Sequence, residues 1–263
     1  PFVYPYGMLT REFRISCFEF IFANSCGYRA VDKKRKKELI RYLSGFATQD
    51  RLDGFERVLD SRTRYIAVAL ENIFQPHNAS AVLRSMDCFG IQDAHIIENE
   101  YEYRVNPDVA LGASKWLTLI RYNSAPYNTE SAIENLRTNG YRIVATTPHT
   151  GDIPLDDFDL HAGKAVLFFG TELEGLSDAV LQNADEFLRV PMYGFTESFN
   201  ISVSAAIILY ELSRKLRQSA IDWHLSEAEK TDLRLEWLKQ SVRHSDLLIR
   251  RYLDEQSLSS ESA

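Results

Sequence analysis

"RYIAVALENIFQPHNASAVLRSMDCFGIQDAHIIE", residues 64–98, decides the fold class. It opens on a short apolar run, Ile66 to Leu70, whose length suits a buried strand better than a helix. "ASAVLRSMDCFG" then repeats its apolar residues at helical spacing and closes on Gly90, a residue that accepts the left-handed backbone of a helix C-terminus. "DAHIIE" returns to a strand. A strand, a covering helix and a second strand make a βαβ unit, which implies a parallel pair.

The same alternation continues outward. "WLTLIRY" reads as a strand, a helix spans the region from Glu130 to Asn139 and closes at Gly140, and "YRIVATT" and "KAVLFFG" are strands. A short helix after Ser177, the strand "FLRVP" and the helix within "GFTESFNISVSAAIILYE" (194–211) complete the series. Short apolar strands separated by helices predict an α/β fold, a mostly parallel sheet with helices on both faces. In the last helix, Ser198 or Asn200 is read as the cap. Ser202, Ser204, Ala205 and Ala206 narrow one side, and Ile201, Val203, Ile207, Ile208 and Leu209 leave almost no polar face. Such a helix is expected to be buried nearly all round, against the sheet and with room for a symmetry mate.

The flanks differ in character. Residues 32–63 are helical in pattern and basic, with Lys33, Lys34, Arg35, Lys36, Lys37 and Arg41 close together. Such a run is either a solvated helix face or a phosphate-contacting one. Residues 218–254 hold two further helical stretches, and the polar tail 255–263 is expected to be disordered. Residues 1–31 are aromatic-rich and unperiodic, and are set apart as an extension. Within them "ISCFEFIFANSC", after Arg11 and Arg14, loosely resembles a secretory signal, but Glu19 interrupts it.

Composition narrows the chemistry. The 263 residues, 45% hydrophobic with net charge −7, suit one sizeable α/β domain with additions and argue against a uniformly basic coat. Cys17, Cys26 and Cys88 are scattered without CxxC spacing, so the chain reads as cytoplasmic, without a disulfide framework or zinc site. Six dispersed histidines without HExxH spacing imply no metal, and no apolar stretch approaches the roughly 20 residues of a membrane helix. GxGxxG, GxxxxGK[ST] and GxSxG are all absent, which weakens hydride transfer, phosphoryl transfer and serine hydrolysis.

What remains lies in three loops that follow strands, where open α/β sheets bind ligands. The first holds Asn72, Pro76, His77 and Asn78, with Asn78 a plausible N-cap and Arg84 further along the helix. Arg84 either pairs with Asp87 or faces an anionic ligand. The second holds Gly170, Glu172, Glu174 and Gly175, glycines that permit tight turning and close backbone approach. The third is "PMYGFTESFN".

Together "ENIFQPHNASAVLRSMDCFGI", "LFFGTELEGLSDAVLQNADEFLRVPM" and "GFTESFNISVSAAIILYE", in this order and spacing over 64–217, resemble the SPOUT superfamily of RNA methyltransferases, most closely its TrmH (SpoU) family. The resemblance implies a deep trefoil knot in the C-terminal part of the sheet, a homodimer, and S-adenosylmethionine held by the knot loops. It places Thr146, Gly170, Glu172, Gly175, Val190, Met192 and Phe199 around the cofactor, and gives Arg84 the central catalytic role with Asn78, Ser198 and Asn200. The activity it implies is methylation of a ribose 2′-hydroxyl of tRNA, at guanosine 18 of the D-loop. A ribosomal RNA 2′-O-methyltransferase and a non-catalytic RNA-binding knot dimer are the alternatives. On this reading Lys33, Lys34, Arg35, Lys36, Lys37, Arg214, Lys215, Arg217, Arg243, Arg250 and Arg251 become candidate phosphate contacts.

Overall fold

The computed structural model describes residues 33–103, 110, 112–149 and 151–261. The extension 1–31, with Cys17, Cys26 and the signal-like stretch, lies outside them. Seven strands form one sheet: β1 (Ile66–Glu71), β2 (Asp93–Ile97), β3 (Thr118–Tyr122), β4 (Arg142–Thr146), β5 (Ile153–Pro154), β6 (Ala165–Phe169) and β7 (Glu186–Arg189). Their spatial order is β3-β2-β1-β6-β4-β7-β5, and every pair is parallel. The two-residue β5 is too short for any sequence pattern to announce.

Helices α3 (Pro76–Phe89), α4 (Thr129–Thr138), α5 (Asp178–Asn183) and α6 (Ile201–Gln218) cover the sheet. The pleat of β1 shows how. Ile66, Val68 and Leu70 point into a core shared with Val82, Leu83 and Met86 of α3 and with Ala205, Ile208 and Leu212 of α6. Ala67 and Ala69 point the other way, towards Ala132, Ile133 and Leu136 of α4 and Val180 of α5. Both faces of β1 are therefore buried, which is why its six residues read as a continuous apolar run instead of an alternating one.

The two flanks are one structure. α1 (Lys33–Ser44) and α2 (Gln49–Leu59) pack with α7 (Glu227–Ser241) and α8 (Ser245–Glu261) around Leu39, Leu43, Phe55, Leu59, Leu233, Trp237 and Leu238. α8 continues through Glu261 as a helix, into the stretch expected to be disordered. Ion pairs Lys36–Asp232 at 2.6 Å and Arg234–Glu56 at 2.5 Å join the halves.

α6 departs from expectation. Its inner stripe is buried, but Val203 is 44% and Tyr210 56% exposed, so one apolar face of the single chain is open.

β2 carries a buried histidine with a definite protonation state. The Tyr122 hydroxyl donates to Asn135 Oδ1 at 3.1 Å, so its oxygen accepts from His95 Nδ1, 3.0 Å away. Nε2 is buried with no partner among the described residues. Burial pushes the imidazole down to about 4. The unfolded chain takes up this proton near pH 6.5 and the folded chain only near 4, so stability is full above about pH 6.5 and falls as pH drops through that window, by about 3 kcal/mol in all. Urea unfolding between pH 7.5 and 4.5 should show this slope in the parent and lose it in His95→Gln. Equal slopes would contradict it.

Candidate active site

The site lies where the strand order reverses. β1 neighbours β6, so their carboxyl ends bring the segment 72–78 beside the loop 170–177 at a topological switch point. The segment 190–200 leaves β7 and must cross the ends of β4 and β6 for Asn200 to reach the same place.

Gly170 ends β6. A Cβ there would lie 2.0 Å from the Gly175 carbonyl oxygen, 2.2 Å from its carbon and 2.5 Å from Leu176 N, all backbone atoms. The loop between is closed on itself: Thr171 N donates to Gly175 O at 2.8 Å, Gly175 N to Thr171 O at 3.1 Å, and Glu174 N to Thr171 Oγ1 at 2.9 Å. Gly175 closes the turn at φ +72°. Behind it, Glu71 at the end of β1 is buried and accepts from Thr129 Oγ1 at 2.6 Å, Ser177 N at 2.9 Å and Ser177 Oγ at 2.7 Å. This carboxylate fixes where the loop re-enters α5. A carboxylate at a strand end was its only sequence signal.

Asn78 is not the N-cap. Pro76 occupies the first turn of α3 and Gln75 is the cap residue, which puts Asn78 inside the helix, buried, with its side chain turned to the loops. Its Nδ2 donates to Glu172 Oε1 at 3.0 Å and to Gln75 Oε1 at 3.3 Å. Asn200 does cap α6: its Oδ1 accepts from Ser202 N at 2.9 Å and Ser202 Oγ at 2.6 Å. That duty turns its Nδ2 outward, where it donates to Glu172 Oε1 at 2.5 Å and Asn78 Oδ1 at 3.2 Å. The three loops are thus joined by one carboxylate and two amides, and each amide's orientation is dictated by its other bonds.

Arg84 is exposed on α3, about 9 Å further along the helix axis than Asn78. The pairing with Asp87 does not form: Asp87 takes Arg62 instead, and Arg84 has no hydrogen bond or ion pair with a described residue. Ser198 precedes α6 and is exposed, outside the cap. Thr146 Oγ1 donates to Phe168 O at 2.7 Å, tying the ends of β4 and β6, while Val190 and Met192 are half-buried after β7. Leu173, Tyr193, Phe195 and Phe199 form exposed apolar edges on the two C-terminal loops.

The basic candidates divide. Arg217 is committed to the fold, donating through Nη2 to Ser61 O at 3.0 Å and Phe89 O at 2.8 Å while its guanidinium lies 4.9 Å from the Trp223 ring centre. Burial lowers its pKa. Lys215 donates to Leu155 O and Asp156 O. Lys36 pairs with Asp232, Arg214 with Glu211 and Arg251 with Glu255. Lys33, Lys34, Arg35, Lys37, Arg243 and Arg250 are exposed. Among the described residues no cluster could hold a metal ion, and no helix is long and apolar enough to cross a membrane.

A parallel α/β sheet with a glycine-built loop, a capped helix and a polar junction at its switch point has its ligand crevice at the carboxyl ends of its strands. A family model described as the SpoU rRNA Methylase family matches residues 65–210, and the chain belongs to that family. A relative from Borreliella burgdorferi named tRNA (guanosine(18)-2′-O)-methyltransferase is 45% identical over 205 residues, 78% of this chain and 92% of the relative. One of the same name from Thermus thermophilus is 33% identical over 168 residues, 64% of this chain and 84% of the relative. The crystal structure of the Aquifex aeolicus TrmH/SpoU tRNA modifying enzyme superposes with a TM-score of 0.66 at 28% identity, covering 74% of this chain and 98% of that one.

Proposed function

We propose that this chain is a tRNA (guanosine-18) 2′-O-methyltransferase that uses S-adenosylmethionine. The observation that carries the reading is the junction of Asn78, Glu172 and Asn200, which unites all three family motifs at the switch point. The tRNA substrate is favoured over ribosomal RNA because the relatives that match across most of their length bear the tRNA name.

The residues present fit the cofactor. Gly170 leaves no side chain between two backbone runs, Gly175 turns the loop back on itself, and Thr146, Gly170 and Val190 stand at or just after the ends of β4, β6 and β7. Glu172, Met192 and Phe199 complete the set of residues that would hold it. When bound, S-adenosylmethionine supplies an activated methyl group on a sulfonium.

The chain must then orient the ribose and stabilise charge on its 2′-oxygen. Arg84, which has no hydrogen bond or ion pair with a described residue, suits the second task. Arg84 places a positive charge beside the 2′-oxygen as that hydroxyl gives its proton to solvent and takes the methyl group. Asn78, held by Glu172, and Ser198 position the ribose. Asn200 joins the helix start to this junction, and its replacement by alanine should lower kcat by more than tenfold while costing only about 1 kcal/mol of stability in urea. Equal proportional losses would reduce Asn200 to a cap.

The open face of α6, with Val203 and Tyr210 exposed and Phe89 tilted against Tyr210 at 6.0 Å, supports a homodimer in which a second copy covers it. The return of the chain from β7 across β4 and β6 to pack α6 on α3 supports the trefoil knot. The exposed lysines and arginines of α1 and α8 are the RNA-contacting face, the 64–217 segment the catalytic unit. Calorimetric titration with S-adenosylmethionine tests the reading: saturable one-to-one binding per chain supports it, and no heat at millimolar cofactor favours a non-catalytic knot protein.

A further inference from the structure

Two exposed aromatic residues stand together at the rim of the site without a packing reason. Phe74, in the loop leading to α3, is 68% exposed and Tyr101, after β2, is 39% exposed, yet their rings meet at 5.0 Å in an edge-to-face contact. Their loops are fastened to each other. Asn72 adopts a left-handed backbone, φ 54°, and its Oδ1 accepts from Asn99 N at 2.9 Å and Glu100 N at 3.0 Å. The strained residue at the end of β1 thus fixes the Tyr101 loop beside the segment that carries Phe74 and Asn78. Exposed and preorganised aromatic surface of this kind is a stacking platform.

Its surroundings choose the ligand. Glu100, next to Tyr101, is exposed, and its carboxylate has no hydrogen bond or ion pair with a described residue. The exposed Glu100 carboxylate repels a phosphate, so the platform suits a base turned away from its backbone. A carboxylate accepts two hydrogen bonds side by side, and guanine alone among the four RNA bases presents a ring N–H beside an amino group on its Watson–Crick edge. Adenine offers a bare nitrogen there. We infer that Phe74, Tyr101 and Glu100 form a guanine-reading surface: the rings stack the target base and the Glu100 carboxylate accepts from its N1–H and 2-amino group. The inference rests on the methyltransferase reading and gives the base selectivity of that site.

The test uses the full chain, labelled S-adenosylmethionine, and tRNA transcripts with guanosine or adenosine at the target position. Phe74→Ala and Tyr101→Ala should each raise the KM for tRNA about tenfold, as loss of one stacked base predicts, with kcat and the KM for cofactor little changed. Phe74→Trp should restore it. Glu100→Gln should reduce the preference for guanosine over adenosine about tenfold, since a neutral amide no longer supplies two acceptors. An unchanged KM in both alanine variants of an active parent overturns the inference, as does retained guanosine preference in Glu100→Gln. Sedimentation showing that Phe74→Ala separates into monomers would assign the platform to a second copy and overturn it too. A parent that methylates neither transcript overturns the methyltransferase reading itself.

Discussion

Arg84→Ala is expected to reduce methylation by roughly 10²- to 10³-fold in kcat, the scale on which removing one preorganised charge from a developing oxyanion acts. The chain's stability should change little, because Arg84 is exposed and makes no ion pair or hydrogen bond with a described residue. That combination separates a catalytic arginine from a structural one. Arg62 provides the contrast: it is buried, bonded to Asp87 and stacked 5.5 Å from the Trp237 ring centre, so its loss should lower stability and leave the chemistry to follow. Arg84→Lys keeps the charge and loses the planar fork, and an intermediate rate would show how much of the effect is charge alone. Single-turnover rates with saturating tRNA and cofactor, beside urea unfolding of each variant, check all three. A fully active Arg84→Ala would remove Arg84 from the mechanism.

The second large effect is expected at Gly170. Alanine there meets three backbone atoms inside 2.6 Å, and backbone cannot step aside as a flexible side chain does. The turn 171–175 must open, with a cost of about 3 kcal/mol and loss of most cofactor affinity. Gly175 gives the control. Its φ of +72° costs alanine only about 1–2 kcal/mol, and the added Cβ would meet open space. Gly170→Ala should therefore be the more damaging, in both melting temperature and S-adenosylmethionine affinity, although it is Gly175 that has the left-handed backbone. The reverse ranking would mean that the loop's conformation, not the closeness of its two strands, is what the site needs.

Much of this was visible in the chain and some of it could not be. The strands announced themselves because both faces of the sheet are covered, which turns β1 and β6 into apolar runs. Asn78 has the residue type of a common cap, and Pro76, which starts the helix two residues earlier, has the residue type of a loop. Arg84 and Asp87 share a helix at a spacing that allows pairing, but Arg62 comes from 25 residues upstream in the chain and no local pattern reveals it. The union of α1 and α2 with α7 and α8 is equally non-local: Leu39 and Leu43 meet Leu235 and Leu238 across nearly the whole sequence. The nearly all-apolar composition of α6 predicts burial all round, but in the single chain Val203 and Tyr210 stay exposed, because apolar composition does not say which faces the chain's own elements cover. Glu172 stands in the sequence as one carboxylate of a glycine-flanked loop, and its bonds to Asn78 and Asn200 emerge only when β6 lies next to β1.

The central claim is that these loops transfer a methyl group to one ribose of tRNA. Incubation of the purified chain with labelled S-adenosylmethionine and unmodified tRNA, followed by nuclease mapping of the labelled nucleotide, tests it most directly. The expected product is a single 2′-O-methylguanosine at position 18, absent with Arg84→Ala. Label confined to ribosomal RNA, label on a base instead of a ribose, or no label at all would contradict it.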